Sequence, residues 1–141
     1  MRHAAAVERL DAAVVRLYEK LASWEDSVAE QVGLTPRQCH AVSELGKTGR
    51  IRMKPLSERL GITTGTLTIM ADRLQNLDLV RRADDPTDRR AFYIELTEKG
   101  RRIFEQHARH HARLAEELLS TLSVEEAGAF IPLLERIMQV L

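Results

Sequence analysis

The sequence predicts a mostly α-helical fold that carries a small β wing: a winged helix-turn-helix flanked by helices from both ends of the chain. Three features predict it. Two short helical segments are joined through Gly61-Ile62, a hairpin pattern with a charged tip follows them directly, and long amphipathic stripes occupy the two ends.

From Ala4 to about Gln31, Val7, Leu10, Val14, Leu17, Leu21, Trp24 and Val28 recur every three or four positions, which predicts the first helix. Gly33 ends it. Thr35-Pro36-Arg37-Gln38 then supplies a cap, a proline at the first helical position and a Gln three after the cap, so a second helix should run from Pro36 to about Lys47. Ile51-Arg52-Met53 is long enough only for an edge strand or a turn. Pro55 to Leu60 reads as a short third helix stopped by Gly61, and Thr63 caps a fourth from Thr64 to Leu77, with Leu67, Met70 and Leu74 turned inward. Leu79–Ala83 and Ala91–Leu96 carry strand-forming residues around the turn formers Asp84-Asp85-Pro86-Thr87-Asp88-Arg89-Arg90, which predicts the hairpin. Thr97 caps a long helix to about Leu122, and Ser123 with Glu126 forms a capping box for a last helix ending at Leu141.

At 141 residues, the chain is the size of one ordinary domain and buries roughly 68–70% of its unfolded surface. With 44% hydrophobic, 30% charged and 4% aromatic residues it is neither a disordered tail nor an aromatic-rich sugar-binding surface. Cys39 is the only cysteine, which excludes an intrachain disulfide and Cys-rich zinc folds. No apolar run approaches the ~18–20 residues that cross a bilayer, and Met1-Arg2-His3 does not open a signal peptide, so the expectation is a cytoplasmic protein without a membrane partner. Net charge is zero, yet twelve Lys/Arg face eight Asp/Glu between Arg50 and Arg102. The centre is therefore basic and the two ends together acidic, as expected of a centre that meets something negative.

In a helix-turn-helix the second helix enters the major groove, where its N-terminal side chains reach base edges. The cap residue Thr63 and then Thr64, Thr66, Thr68 and Ile69 are the candidates here: hydroxyls donate or accept, and methyls touch thymine. Arg73, further along, is placed to hold the backbone. Arg89 and Arg90 at the hairpin tip suit a narrow minor groove, whose negative potential attracts arginine, with Asp88 orienting one of them. Taken alone, this run also reads as a solvated turn with self-neutralising charges. Its place directly after a helix-turn-helix favours the DNA reading.

The run Leu56-Ser57-Glu58-Arg59-Leu60-Gly61-Ile62, Thr68, Asp72-Arg73-Leu74, Leu79-Val80, Asp85-Pro86-Thr87-Asp88-Arg89-Arg90 and Leu96-Thr97-Glu98-Lys99-Gly100 resembles the MarR family of bacterial winged-helix repressors, and the likeness covers nearly the whole chain. It implies one domain, 1–141, with residues 35–97 as the DNA-binding lobe and residues 1–34 and 98–141 as helices that interlock into a homodimer. It implies double-stranded operator DNA as partner, with pseudo-palindromic half-sites about one turn apart. The apolar stripes agree with a dimer: Phe104, Leu114, Leu118, Phe130, Ile131, Leu134, Ile137 and Met138 exceed what such thin helices can hide in one subunit. Two positions depart from the pattern. Ile69 stands where many relatives carry a basic residue, and Asp78 replaces a common glycine, which Asp serves because it tolerates the left-handed conformation.

The resemblance also implies a small effector, and the residues leave its class open. His107 and His111 are four apart and share a helical face. With His40 they resemble the ligand set of the family's zinc-sensing branch, which makes Zn(II) a candidate ion. That branch's first-helix carboxylate aligns with Ala22, with Glu19, Glu25 or Asp26 nearby. Histidines on such helices also serve simply to pack or hydrogen-bond. An aromatic or phenolic ligand in the cleft between the lobes, near Arg16, Tyr18 and Trp24, is the alternative. Cys39 reads as a buried, inert thiol. No phosphate loop, nucleophile elbow or HExxH motif points to an enzyme. A winged-helix interaction protein that does not read DNA is the remaining alternative class.

Overall fold

The computed structural model describes residues 2–140. The element order is α1 (Arg2–Gln31), α2 (Pro36–Thr48), β1 (Ile51–Arg52), α3 (Met53–Leu60), α4 (Thr64–Asn76), β2 (Val80–Asp84), β3 (Phe92–Leu96), α5 (Glu98–Ser120) and α6 (Val124–Met138). The chain divides into two compact units, residues 1–107 and 108–141, the boundary falling within α5. The expected DNA-binding lobe, 35–97, lies inside the first unit. Among the described residues no helix is long and apolar enough to cross a membrane.

Helix starts follow the caps read from the sequence. Thr35 and Ser123 each form a complete capping box, and Thr63 Oγ1 accepts the Thr66 amide at 3.1 Å. Each such cap contributes about 0.5–2 kcal/mol. α3 begins two residues earlier than its sequence suggests, because Arg52 takes the cap position with no side-chain cap hydrogen bond. Gly61 closes α3 at φ +63, a left-handed turn that glycine adopts without steric cost.

The core of the first unit is built by α2, α3, α4 and the sheet, with Val42, Leu45, Leu56, Leu67, Leu74, Val80 and Ile94 fully buried. Each such side chain contributes roughly 1.5–3 kcal/mol by leaving water. Val28 and Ala29 at the end of α1 are buried, whereas residues 3–21 of α1 are exposed throughout. Cys39 is buried, and burial, assisted by the charge of Glu25, pushes its thiol up to about 11. It is neutral at physiological pH, as expected of an inert thiol.

The sheet is antiparallel, ordered β1-β3-β2, with Ile51 opposite Ile94, Arg52 opposite Tyr93 and Val80 opposite Leu96. Behind it, the α4–β2 turn is locked to the start of α5. Asp78 adopts the left-handed conformation at φ 60. Its carbonyl accepts Thr97 Oγ1 at 2.6 Å, the Thr97 amide donates to Leu79 O at 3.0 Å, and Thr97 Oγ1 accepts the Gly100 amide at 3.0 Å. A Cβ on Gly100 would collide with the Leu79 carbonyl, so the close approach of the backbone just before β2 to α5 requires glycine.

In the second unit, α6 runs through Pro132 without a buried residue. Phe130, Ile131, Leu133, Leu134, Ile137 and Met138 are all exposed.

Candidate nucleic-acid interface

α4 is amphipathic in the sense the site needs. Leu67, Ala71 and Leu74 are buried and Met70 half-buried, which leaves Thr63, Thr64, Thr66, Thr68, Ile69 and Arg73 exposed. Ile69 is 59% exposed, so a β-branched apolar side chain stands in water on the outer face.

The threonines are not equivalent. Thr68 Oγ1 donates to the Thr64 carbonyl at 2.8 Å, so its hydrogen is committed, and toward a ligand it offers lone pairs and a methyl. Thr63 and Thr66 face each other at 2.9 Å between their hydroxyls. No hydrogen bond engages the Thr64 hydroxyl among the described residues. Thr64 is therefore the hydroxyl with its full donor and acceptor capacity at the helix N-terminus, a distinction that residue type alone did not reveal.

The wing sorts its arginines into two groups. Arg81 Nε donates to Glu95 at 2.8 Å, and Arg50 pairs with the same carboxylate at 3.4 Å. Arg82 pairs with Asp72 of α4 and lies over the Phe92 ring at 4.9 Å, which ties the recognition helix to the strand that enters the wing. Arg52 pairs with Asp85. By contrast Arg73, Arg89 and Arg90 are exposed and make no ion pair among the described residues. Three of the unpaired cations of the central segment therefore stand on α4 and the wing tip.

Asp88 acts on its arginine through the backbone: its Oδ1 accepts the Arg90 amide at 2.9 Å, and its carbonyl accepts the Ala91 amide at 3.0 Å. The tip is folded by these bonds while the guanidinium groups remain outside them. Asp85, within the same turn-forming run, is the buried exception. Its Oδ1 accepts the Thr87 amide at 2.8 Å and the Thr87 hydroxyl at 2.7 Å, and these bonds, aided by Arg52, lower its carboxyl to about 2. The sequence marks Asp85 only as a turn former and Arg52 only as part of a short edge strand or turn; an Asp two residues before a Thr in a turn is the signal that identifies such a loop.

Among the described residues no three His, Cys, Asp or Glu side chains form a group that could hold a metal ion. His40 is exposed and, with Arg37, Leu60, Gly61, Ile62 and Met70, lines a cleft of about 230 Å³ beside the turn of the helix-turn-helix. Ser43 Oγ, also on α2, lies 3.2 Å from His107 Nδ1. His111 is exposed. Of the residues considered for an aromatic ligand, Arg16 and Tyr18 lie on the exposed part of α1 and Trp24 is half-buried.

Comparison with known proteins agrees with this geometry. A family model described as the MarR family matches residues 32–91, the segment that holds α2, the helix-turn-helix and most of the wing. The HTH-type transcriptional repressor MdtR of Bacillus subtilis is 30% identical over 110 residues, which span 78% of this chain and 71% of that protein. The chain belongs to the MarR family. Among solved structures, wild-type apo MarR from E. coli superposes with a TM-score of 0.76 at 25% identity, covering 91% of this chain and 95% of that one. Streptococcus pneumoniae FabT, crystallised in complex with DNA, gives 0.86 at 23% identity over 95% and 96% of the two chains, a likeness of fold. As a MarR-family protein the chain is a winged helix-turn-helix transcriptional regulator and not an enzyme.

Proposed function

We propose that the protein is a homodimeric transcriptional repressor that reads a pseudo-palindromic DNA operator with the exposed face of α4 in the major groove and the wing tip in the adjacent minor groove. The observation that carries this reading is the partition of cations. Four arginines of the wing and its base pair with three carboxylates, while Arg73 on α4 and Arg89 and Arg90 at the tip have no such partner among the described residues.

A second copy of the chain supplies cover for the apolar stripes of α1 and α6, each exposed within its own unit. A two-fold dimer presents two α4 helices, and half-sites about one DNA turn apart match it. MdtR's designation as a repressor and FabT's complex with DNA support the direction of this reading. Within α4, Thr64 contributes the versatile hydroxyl, Thr63, Thr66 and Thr68 contribute lone pairs and methyls, and Ile69 contributes an apolar contact suited to a thymine methyl.

Selection of bound duplexes from a random-sequence pool tests the proposal. An enriched inverted repeat is the expected result. Recovery of no preferred sequence favours a winged-helix interaction protein instead. Control by a small effector completes the reading: Zn(II) and a small aromatic acid, added separately to the protein–DNA complex, distinguish the two classes by which one shifts the affinity.

A further inference from the structure

Arg52 occupies two structural roles at once. It is the N-cap residue of α3, the first helix of the helix-turn-helix, and its side chain makes no cap hydrogen bond. Ser, Thr, Asp or Asn is the usual choice at such a position. Instead the Arg52 guanidinium reaches across 33 residues of sequence to the Asp85 carboxylate and packs over the Tyr93 ring at 5.5 Å, while Arg50 lies over the same ring at 5.3 Å. At its other oxygen, Asp85 accepts both the amide and the hydroxyl of Thr87. One buried carboxylate therefore joins the start of α3 to the loop that holds Arg89 and Arg90.

We infer that the Arg52–Asp85–Thr87 clasp positions the wing arginines for DNA, by fixing the tip loop to the N-cap residue of α3. This rests on the reading of the wing tip as a DNA contact. The geometry favours positioning over simple strand pairing. β1 contributes only Ile51 and Arg52 to the sheet, so the backbone pairing that anchors this edge is minimal, and the side-chain link supplies the connection. Asp85 directly follows β2, whose ladder stops at Asp84–Phe92; beyond that pair the tip is held by a long backbone bond from the Asp85 amide to Ala91 O at 3.4 Å and by the side chains of Asp85 and Asp88. Asp88 shapes the tip internally. Asp85 is the group that relates it to α3. Without the clasp Arg89 and Arg90 keep their charge but sample many orientations, and binding energy is lost to ordering them.

The experiment uses the full-length protein and a duplex that the wild type has selected from a random-sequence pool, with affinity measured across a series of NaCl concentrations. Asp85→Ala and Arg52→Ala are compared with Arg90→Ala and Arg73→Ala, alone and in pairs, the two clasp variants approaching the link from opposite sides in case one does not fold. The expected result is a roughly tenfold loss for either clasp variant and a salt slope reduced by about one, as for Arg90→Ala. Combined with Arg90→Ala, the clasp variants should add little further loss, whereas with Arg73→Ala the losses should multiply. A purely structural pair would multiply with both. Wild-type affinity in folded Asp85→Ala and Arg52→Ala, or losses that multiply with Arg90→Ala, overturns the inference while leaving the wing contact intact. If Arg90→Ala itself retains the wild-type affinity and slope, the wing contact fails and the inference with it.

Discussion

Thr97 donates its hydroxyl hydrogen to the carbonyl of Asp78 at 2.6 Å, so the residue that opens α5 is bonded to the left-handed residue that follows α4. The same oxygen accepts the Gly100 amide, and the Thr97 amide reaches Leu79. The run Leu96-Thr97-Glu98-Lys99-Gly100 thereby acquires a physical meaning: Thr97 fastens the turn after α4 to α5, and Gly100 lets the backbone at Leu79 pass. Replacing Thr97 by Val keeps the shape and removes both side-chain bonds. The expected loss is about 1–3 kcal/mol in urea unfolding.

Two substitutions around this junction should act in opposite directions. Asp78→Gly relieves a left-handed backbone while preserving the accepting carbonyl, and should stabilise the protein by up to ~1 kcal/mol. Gly100→Ala drives a methyl into the Leu79 carbonyl, and should destabilise it by roughly 3 kcal/mol. Thermal melts of the two variants check the signs.

The Asp85 carboxyl, held at about 2 by Thr87 and Arg52, titrates below its ordinary value of 3.8. Its folded-state value is the lower one. Its contribution to stability is therefore full above pH 3.8 and is lost as the pH falls through about 2. The Thr87 amide resonance should report a midpoint near pH 2, and the wing should stay ordered at pH 4. A midpoint near pH 4 would show the carboxylate to be solvated.

The exposed faces of α1 and α6 predict the oligomer. Leu10 and Ile137 are 63% and 56% exposed in the single chain. Leu10→Glu and Ile137→Glu should each convert a particle of twice the 16.0 kDa chain mass into a monomer in light scattering, with helix content kept in the first unit. Wild-type protein that is monomeric at micromolar concentration would contradict the dimer.

How legible these features were depends on how local their causes are. Thr35 with Gln38 and Ser123 with Glu126 announce helix starts within four residues, and the structure places both starts where the caps put them. The start of α3 was hidden because Arg52 caps nothing with its side chain. Its partner Asp85 is distant in sequence and sits among turn formers that read as one charged tip. The fully capable hydroxyl of Thr64 was equally hidden, since identical residues differ there only in which carbonyl or neighbour each hydroxyl meets. The histidines mark the reverse case. The spacing of His107 and His111 is visible within one helix, but the contact of Ser43 with His107 depends on how two helices cross.

The most direct measurement is a hydroxyl-radical footprint of the wild-type protein on its selected duplex. Two protected patches, with centres about 10 base pairs apart and the outer minor grooves protected beside them, are the result that paired α4 helices and wing tips require. A single patch, or protection that disappears in Arg73→Ala yet is untouched by loss of both Arg89 and Arg90, would contradict the account.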